Sequence, residues 1–338
     1  MAEVKKRKNY FGFIFAFLIS ILMFFFIGKM TDTNILDEIK KVKYFDILIA
    51  FIIYSLSYLV DSIRYKIVIR PFKTKVHFID LFYNNVVGYV LSSVTPLAAG
   101  GQPYQIYHLH KQGLTTEIAT NITVSRFLEM MFLNLGVTIF SYKAVVSSLK
   151  GSAFSNKLIN IGLIISVSIS ILLLILFLKS EWIAKLIRFL ENRKAKKINA
   201  MGKKFENWTN DLKDSIGFLW NEKIFFMILD IILGLIVLMI QAFALYYMLS
   251  RYAIIEHVPF FYWKVFGGMT LLNMVVYYIP TPGASGSIEG AYQILFSSIT
   301  GNSKGVLISI IGWRFATYYL QIIIGGIFSF FYNIKRGK

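Results

Sequence analysis

The chain has 338 residues, 56% of them hydrophobic, 17% aromatic and 16% charged, with no cysteine and a formal net charge of +18. A mean hydropathy of +0.61 excludes an ordinary soluble domain, and the lack of cysteine excludes disulfides, thiolate metal sites and a cysteine nucleophile. The positive balance does not indicate nucleic acid, because Lys and Arg gather in short segments between apolar stretches, where they set membrane orientation and meet anionic headgroups.

The first apolar run, residues 10–28, follows Lys5-Lys6-Arg7-Lys8 as a signal peptide would, yet it is long enough to span and lacks a small-x-small cleavage site. It reads as a retained first helix. Crossing about 30 Å of hydrocarbon takes about 17 to 25 apolar residues. Further full spans are expected near 45–66, 117–140, 158–178, 224–249 and 305–332. Two other apolar stretches, 78–112 and 259–300, are interrupted by Thr95-Pro96 and Thr281-Pro282. Proline removes a backbone donor and clashes with the preceding turn, so each stretch predicts a re-entrant hairpin of two short helices. Irregular backbone at membrane depth is tolerated only where protein buries it or where it lines a wet cavity.

The two interruptions repeat one another. Thr95-Pro96, a run of small residues with Gly100 and Gly101, and Tyr104-Gln105 reappear as Thr281-Pro282, a run with Gly283 and Gly286, and Tyr292-Gln293. Tyr104, Gly113 and Arg126 precede Tyr292, Gly301 and Arg314 by a constant 188 positions. The chain is internally duplicated, with repeat one at about 45–140 and repeat two at about 224–332 inside a single membrane domain, 1–338.

Basic residues concentrate on one side if the N-terminus is inside and each hairpin returns to its own side. That side takes Lys5 to Lys8, Arg64 to Lys75, Lys111, the cluster from Lys179 to Lys223, and Lys335 to Lys338. Both termini are then cytoplasmic and the hairpins enter from opposite faces. The expected fold class is an all-α polytopic membrane protein of about six full transmembrane helices and two re-entrant broken-helix hairpins related as an inverted repeat, an arrangement that places a transport site near the bilayer midplane. Residues 179–223 mix basic residues with Trp182, Trp208 and Trp220. They read either as amphipathic helices on anionic lipid or as a solvated loop.

Arg126 and Arg314 lie inside apolar helices, where an arginine costs about 2.5–3.5 kcal/mol on insertion scales. Each therefore needs a partner: Glu129 at i+3 for Arg126, Glu289 for Arg314. Either these are packing salt bridges, or equivalent guanidiniums from the two repeats face a central cavity and bind an anion such as phosphate. The helix starts after Pro96 and Pro282 are expected to aim free N–H groups at the same place. Gln102, Tyr104 and Tyr292 complete the candidate substrate-binding set. Neither tip carries the Gly-Lys-Ser/Thr element of a nucleotide loop. His108-x-His110 lacks the further ligands a metal site needs, so neither metal nor cofactor is expected.

With its two hairpin motifs and polytopic layout, nearly the whole chain resembles the flippase-like transmembrane region of lysylphosphatidylglycerol synthase (phosphatidylglycerol lysyltransferase). The resemblance implies a multi-pass protein of the bacterial inner membrane. Such a protein moves an anionic or aminoacylated phospholipid, or a lipid-linked headgroup, between leaflets. The aminoacyl-tRNA-dependent synthase domain of the full-length enzyme is absent from this sequence, and Gln102 stands where many relatives carry an acid. A transporter is expected rather than an enzyme. The alternatives are a membrane-embedded headgroup transferase using Glu129, His108 or Glu289, and a membrane subunit that docks a separate synthase through residues 179–223. The sequence is compatible with a homo-oligomer and does not set its size.

Overall fold

In the computed structural model the described residues are 35–147, 153–179, 199–254, 260–276 and 279–336, with Leu18, Ile21, Leu22 and Lys29. Apart from Leu18, Ile21 and Leu22, the expected span at 10–28 lies outside them, as do residues 180–198 of the amphipathic segment. The chain folds as an all-α polytopic membrane protein. Its helices are α1 (Ile35–Lys41), α2 (Tyr44–Ile69), α3 (Phe78–Val94), α4 (Gly101–Lys111), α5 (Thr116–Val146) and α6 (Ala153–Leu178). They continue as α7 (Asn199–Gly217), α8 (Ile224–Tyr252), α9 (Phe261–Val276), α10 (Ser287–Thr300), α11 (Ser303–Arg314) and α12 (Leu320–Arg336). In hydrocarbon a helix satisfies its backbone groups internally, and α2, α5, α8 and the joined α11–α12 are long and apolar enough to cross a membrane. A π turn, Phe315–Tyr319, joins α11 to α12 directly after Arg314.

Each hairpin breaks at its proline. The preceding residues, Thr95 (φ −113°, ψ 144°) and Thr281 (φ −106°, ψ 145°), are extended, as the proline ring requires of its predecessor. The chain then turns through a left-handed pair in both copies: Leu97 and Ala98 at φ 55° and 53°, Gly283 and Ala284 at φ 58° and 49°. The duplication is therefore one of backbone conformation as well as sequence, and the two tips pack against each other.

The packing gives the relation between the repeats. Exchanging them exchanges α2 with α8, α3 with α9, and α5 with α11–α12. In accord with that exchange, α5 lies along α9 while α12 lies along α3. The equivalent helices α2 and α8 are also the most extensively packed neighbours, and they run antiparallel: Arg64 meets Asp230 near one end and Asp46 meets Tyr252 near the other. Two equivalent helices can lie side by side and antiparallel only if the axis relating them is perpendicular to both, so the repeats are inverted. Close approach depends on small residues. A Cβ on Gly267 of α9 would overlap the Ser141 side chain of α5, and one on Gly325 of α12 would crowd Val90 of α3.

From Trp208 onward the apolar face of α7 is turned onto protein. Leu212 and Ile216 are buried with Leu128, Met131 and Phe177, and Trp208 packs against them. Asn121 also donates to Ser215 Oγ at 2.8 Å. Over residues 207–217 this corrects the reading of the segment as a helix with its apolar stripe on lipid.

Candidate functional site

Among the described residues, two buried charge clusters built on arginines occupy the interior. The first is built where α2, α5 and α8 meet. Arg64 is fully buried and donates from Nη1 to Asp61 Oδ1 at 2.9 Å, from Nη2 to Glu129 Oε1 at 2.6 Å and from Nε to Asp230 Oδ1 at 2.9 Å. Arg126 donates from Nη2 to Asp61 Oδ1 at 2.6 Å and to the Asp61 carbonyl at 3.0 Å, and its guanidinium carbon lies 3.6 Å from the centre of the Tyr65 ring. Stacking and charge-assisted bonds together offset the cost of carrying a guanidinium at this depth.

The second cluster lies at the second tip. Arg314 donates from Nε to Glu289 Oε1 at 2.8 Å, and from Nη2 to the Gly283 carbonyl at 3.1 Å and Ser285 Oγ at 3.3 Å. Glu289 spends its other oxygen on the Gly286 N–H at 2.7 Å, capping α10. The guanidinium carbon of Arg314 is 4.3 Å from the Tyr318 ring centre. Among the described residues Arg314 Nη1 has no protein partner.

Each cluster opens on its own cavity. Arg64, Arg126 and Asp61 line the first, of about 250 Å³, together with Gln102 and Gln105. Arg314, Thr281, Gly283 and Tyr292 line the second, of about 210 Å³. The two share Tyr54, Tyr89, Ser92, Ala98, Gln241 and Asn273 as common walls. A third, apolar cavity of about 160 Å³ lies between α2, α3 and α12 and shares Tyr58, Tyr89, Ser93 and Gln321 with the second. Tyr58 hydrogen-bonds Gln321 at that boundary.

Several sequence expectations are corrected here. Arg126 pairs with Asp61 rather than with Glu129, because Glu129 is taken by Arg64 reaching across from α2. Arg64, counted as a cytoplasmic loop charge, is the centre of the first cluster. One N–H at each tip is taken within the protein: Thr95 Oγ1 accepts from Gly100 N–H at 2.9 Å, and Glu289 accepts from Gly286 N–H at 2.7 Å. The arginines are also not equivalent, since one belongs to a cluster of five charged groups and the other to a single pair. The expected pairing of Arg314 with Glu289 is present.

Of the remaining candidates, Gln102 and Tyr292 line the cavities, with Tyr292 stacked on Trp313 at 5.1 Å between ring centres. Tyr104 lines neither and packs on His108. Glu129 and Glu289 hold arginines and do not themselves line the cavities. Thr95, Pro96, Gly100, Gly101, Pro282 and Gly286 shape the tips. Asp61, Arg64 and Asp230 were not singled out from sequence, although Asp61-x-x-Arg64 and a lone Asp230 within an apolar run are detectable signals. Among the described residues no group of three or more His, Cys, Asp or Glu is arranged to hold a metal ion.

The profile of the family described as lysylphosphatidylglycerol synthase TM region matches residues 13–325. A protein of Archaeoglobus fulgidus named UPF0104 membrane protein is 23% identical to this chain over 330 residues, covering 95% of this chain and 97% of its own.

Proposed function

The chain belongs to the lysylphosphatidylglycerol synthase transmembrane-region family and is a membrane protein, and from that premise we propose that it is a lipid translocator. Its substrate is an anionic or aminoacylated phospholipid, or a lipid-linked headgroup, moved across the bacterial inner membrane with both protein termini cytoplasmic. The observation that carries this reading is the chain of three cavities with common walls. Two carry arginines and other polar side chains in mixed walls drawn from both repeats, and they adjoin beside the broken helices; the third is apolar and adjoins the second. A headgroup needs a polar path through the bilayer and its acyl chains need an apolar one beside it.

Within that path Arg314 is the group best suited to phosphate. Its Nε and Nη2 are held by Glu289, Gly283 and Ser285, so the guanidinium is fixed in orientation while Nη1 is left for a ligand oxygen. Pre-organisation of this kind lowers the entropic cost of binding. Arg64 is committed to three carboxylates, and Arg126 is held by Asp61 through Nη2 alone, with Nε 3.6 Å from Asp230; both line the first cavity.

Purified protein in vesicles whose headgroup-labelled phospholipid starts in one leaflet tests the proposal. A translocator carries label to the other leaflet and leaves every lipid mass unchanged. A headgroup transferase produces a new mass, and vesicles that show neither exchange nor conversion sink the translocator reading.

A further inference from the structure

The first cluster contains a charge imbalance. Three carboxylates, Asp61, Glu129 and Asp230, face two guanidiniums, Arg64 and Arg126, and none of the five side chains is more than 8% exposed. A surplus negative charge in a membrane interior is costly, and a carboxyl group relieves it by taking up a proton.

The contacts single out which carboxyl. Asp61 Oδ1 accepts from both guanidiniums, at 2.9 and 2.6 Å. Asp230 accepts from Arg64 at 2.9 and 3.3 Å and lies 3.6 Å from Arg126 Nε. Glu129 has one such bond, to Oε1, while its Oε2 is buried without a partner. Glu129 Oε1 and Asp230 Oδ2 both accept from Arg64 Nη2, at 2.6 and 3.3 Å, so the two carboxyls flank one nitrogen, and two carboxyl groups bond each other only when one carries a proton. The charged groups facing Glu129 are Arg64 from α2, Asp230 from α8 and Arg126 on α5 itself. The neighbouring helices α4, α6, α7 and α9 place no charged group at bonding distance from it among the described residues.

We propose that this cluster is a proton-binding site: Glu129 Oε2 carries a proton and donates it to Asp230, leaving two carboxylates against two guanidiniums. On release the O–H bond breaks, the carboxylate keeps the electron pair, and the proton leaves by the first cavity, whose wall includes Asp61 and Arg64. Donor and acceptor stand on different repeats. Any movement of one repeat against the other separates them and exchanges the proton, so lipid movement is coupled to proton movement. The coupling rests on the translocator reading; the presence of the proton does not.

Infrared spectroscopy of the full-length protein in lipid nanodiscs at neutral pH tests occupancy. The expected result is a protonated-carboxyl C=O band that shifts in heavy water, shifts again when glutamate is isotope-labelled but not when aspartate is, and is lost in Glu129→Gln. Absence of the band, a shift with labelled aspartate alone, or persistence of the whole band in Glu129→Gln overturns the proposal. The labelling arms use the unmodified protein, so they stand if the variant does not fold. In vesicles that already move lipid, an imposed pH gradient is expected to change the rate. An unchanged rate overturns the coupling, whereas vesicles that move no lipid at all count against the translocator and leave the infrared result standing.

Discussion

Tyr318 of the second repeat donates its hydroxyl to the Ser93 carbonyl of the first hairpin at 2.8 Å, and the face of the same ring receives the Arg314 guanidinium. One side chain thus ties the two tips together and backs the arginine of the second cavity. Tyr318→Phe removes the tie and keeps the ring. The expected loss is about 1 kcal/mol, the net value of a typical hydrogen bond, read as a lower unfolding temperature in detergent. With the tips less firmly joined, lipid exchange in vesicles is expected to be faster than in the unmodified protein.

Gly283 is constrained by that ring more than by its own backbone. Its φ of 58° is matched by Leu97 at 55° in the first tip, so the left-handed turn tolerates a side chain there at the usual penalty of about 1–2 kcal/mol. A Cβ on Gly283, however, would overlap the Tyr318 ring. Gly283→Ala is therefore expected to cost more than the conformational penalty alone, and to cost less when introduced into Tyr318→Ala. A double-mutant cycle on unfolding temperature measures the difference, and strict additivity would remove the steric argument.

The duplication, both hairpins and the Arg314–Glu289 pair were legible in the sequence because each left a local mark: a proline after threonine, a constant offset, an ion in an apolar run. The centre of the first cluster was not. Arg64 stands at the end of an apolar stretch followed by Lys66 and Arg70, where charge ordinarily belongs to a loop, and only the continuation of α2 to Ile69 buries it. The pairing of Arg126 with Glu129 failed for a related reason. An i,i+3 spacing makes contact possible, but Asp61 and Arg64, also three apart and facing from α2, compete for both groups and win.

Asp61 accepts from both arginines of its cluster, so its charge is the hardest to lose. Asp61→Asn keeps the shape but removes the one carboxylate bonded to both guanidiniums, and with it, among the described residues, the only carboxylate hydrogen bond of Arg126. Breaking a buried pair from one side costs about 3–5 kcal/mol. Thermal unfolding in detergent is expected to fall well below that of Tyr318→Phe, and an equal or smaller loss would show that the arginines find compensation elsewhere.

The inverted repeat predicts opposite accessibility for the far ends of the two hairpins. Lys111 and Lys304 are both exposed, and neither caps a helix through its side chain. Asn302 is a poorer choice because its side chain accepts from the Gly305 N–H, and Gly301 has a φ of 71°. Single cysteines at Lys111 and Lys304 are expected to react with an impermeant thiol reagent from the cytoplasmic and outer faces respectively. Reaction of both from one face would contradict the inversion.

Lysine substitution separates the two arginines carried at equivalent positions of the repeats. In Arg314→Lys the ammonium can keep the Glu289 contact, but the fork that also holds Gly283 and Ser285 is lost, and with it the Nη1 proposed to take a ligand oxygen. A charge-assisted hydrogen bond is worth about 1.5–3 kcal/mol, and each 1.4 kcal/mol is about tenfold. The variant is therefore expected to remain monodisperse while lipid exchange in vesicles falls by about tenfold to a hundredfold. Arg126→Lys loses the stack on Tyr65 and the bond to the Asp61 carbonyl, which are internal contacts. Its deficit is expected mainly in unfolding temperature, with a smaller effect on exchange once the folded fraction is accounted for. Measuring both quantities on both variants decides the matter, because equal losses of exchange would make the repeats functionally equivalent and near-normal exchange in Arg314→Lys would leave the phosphate without its ligand.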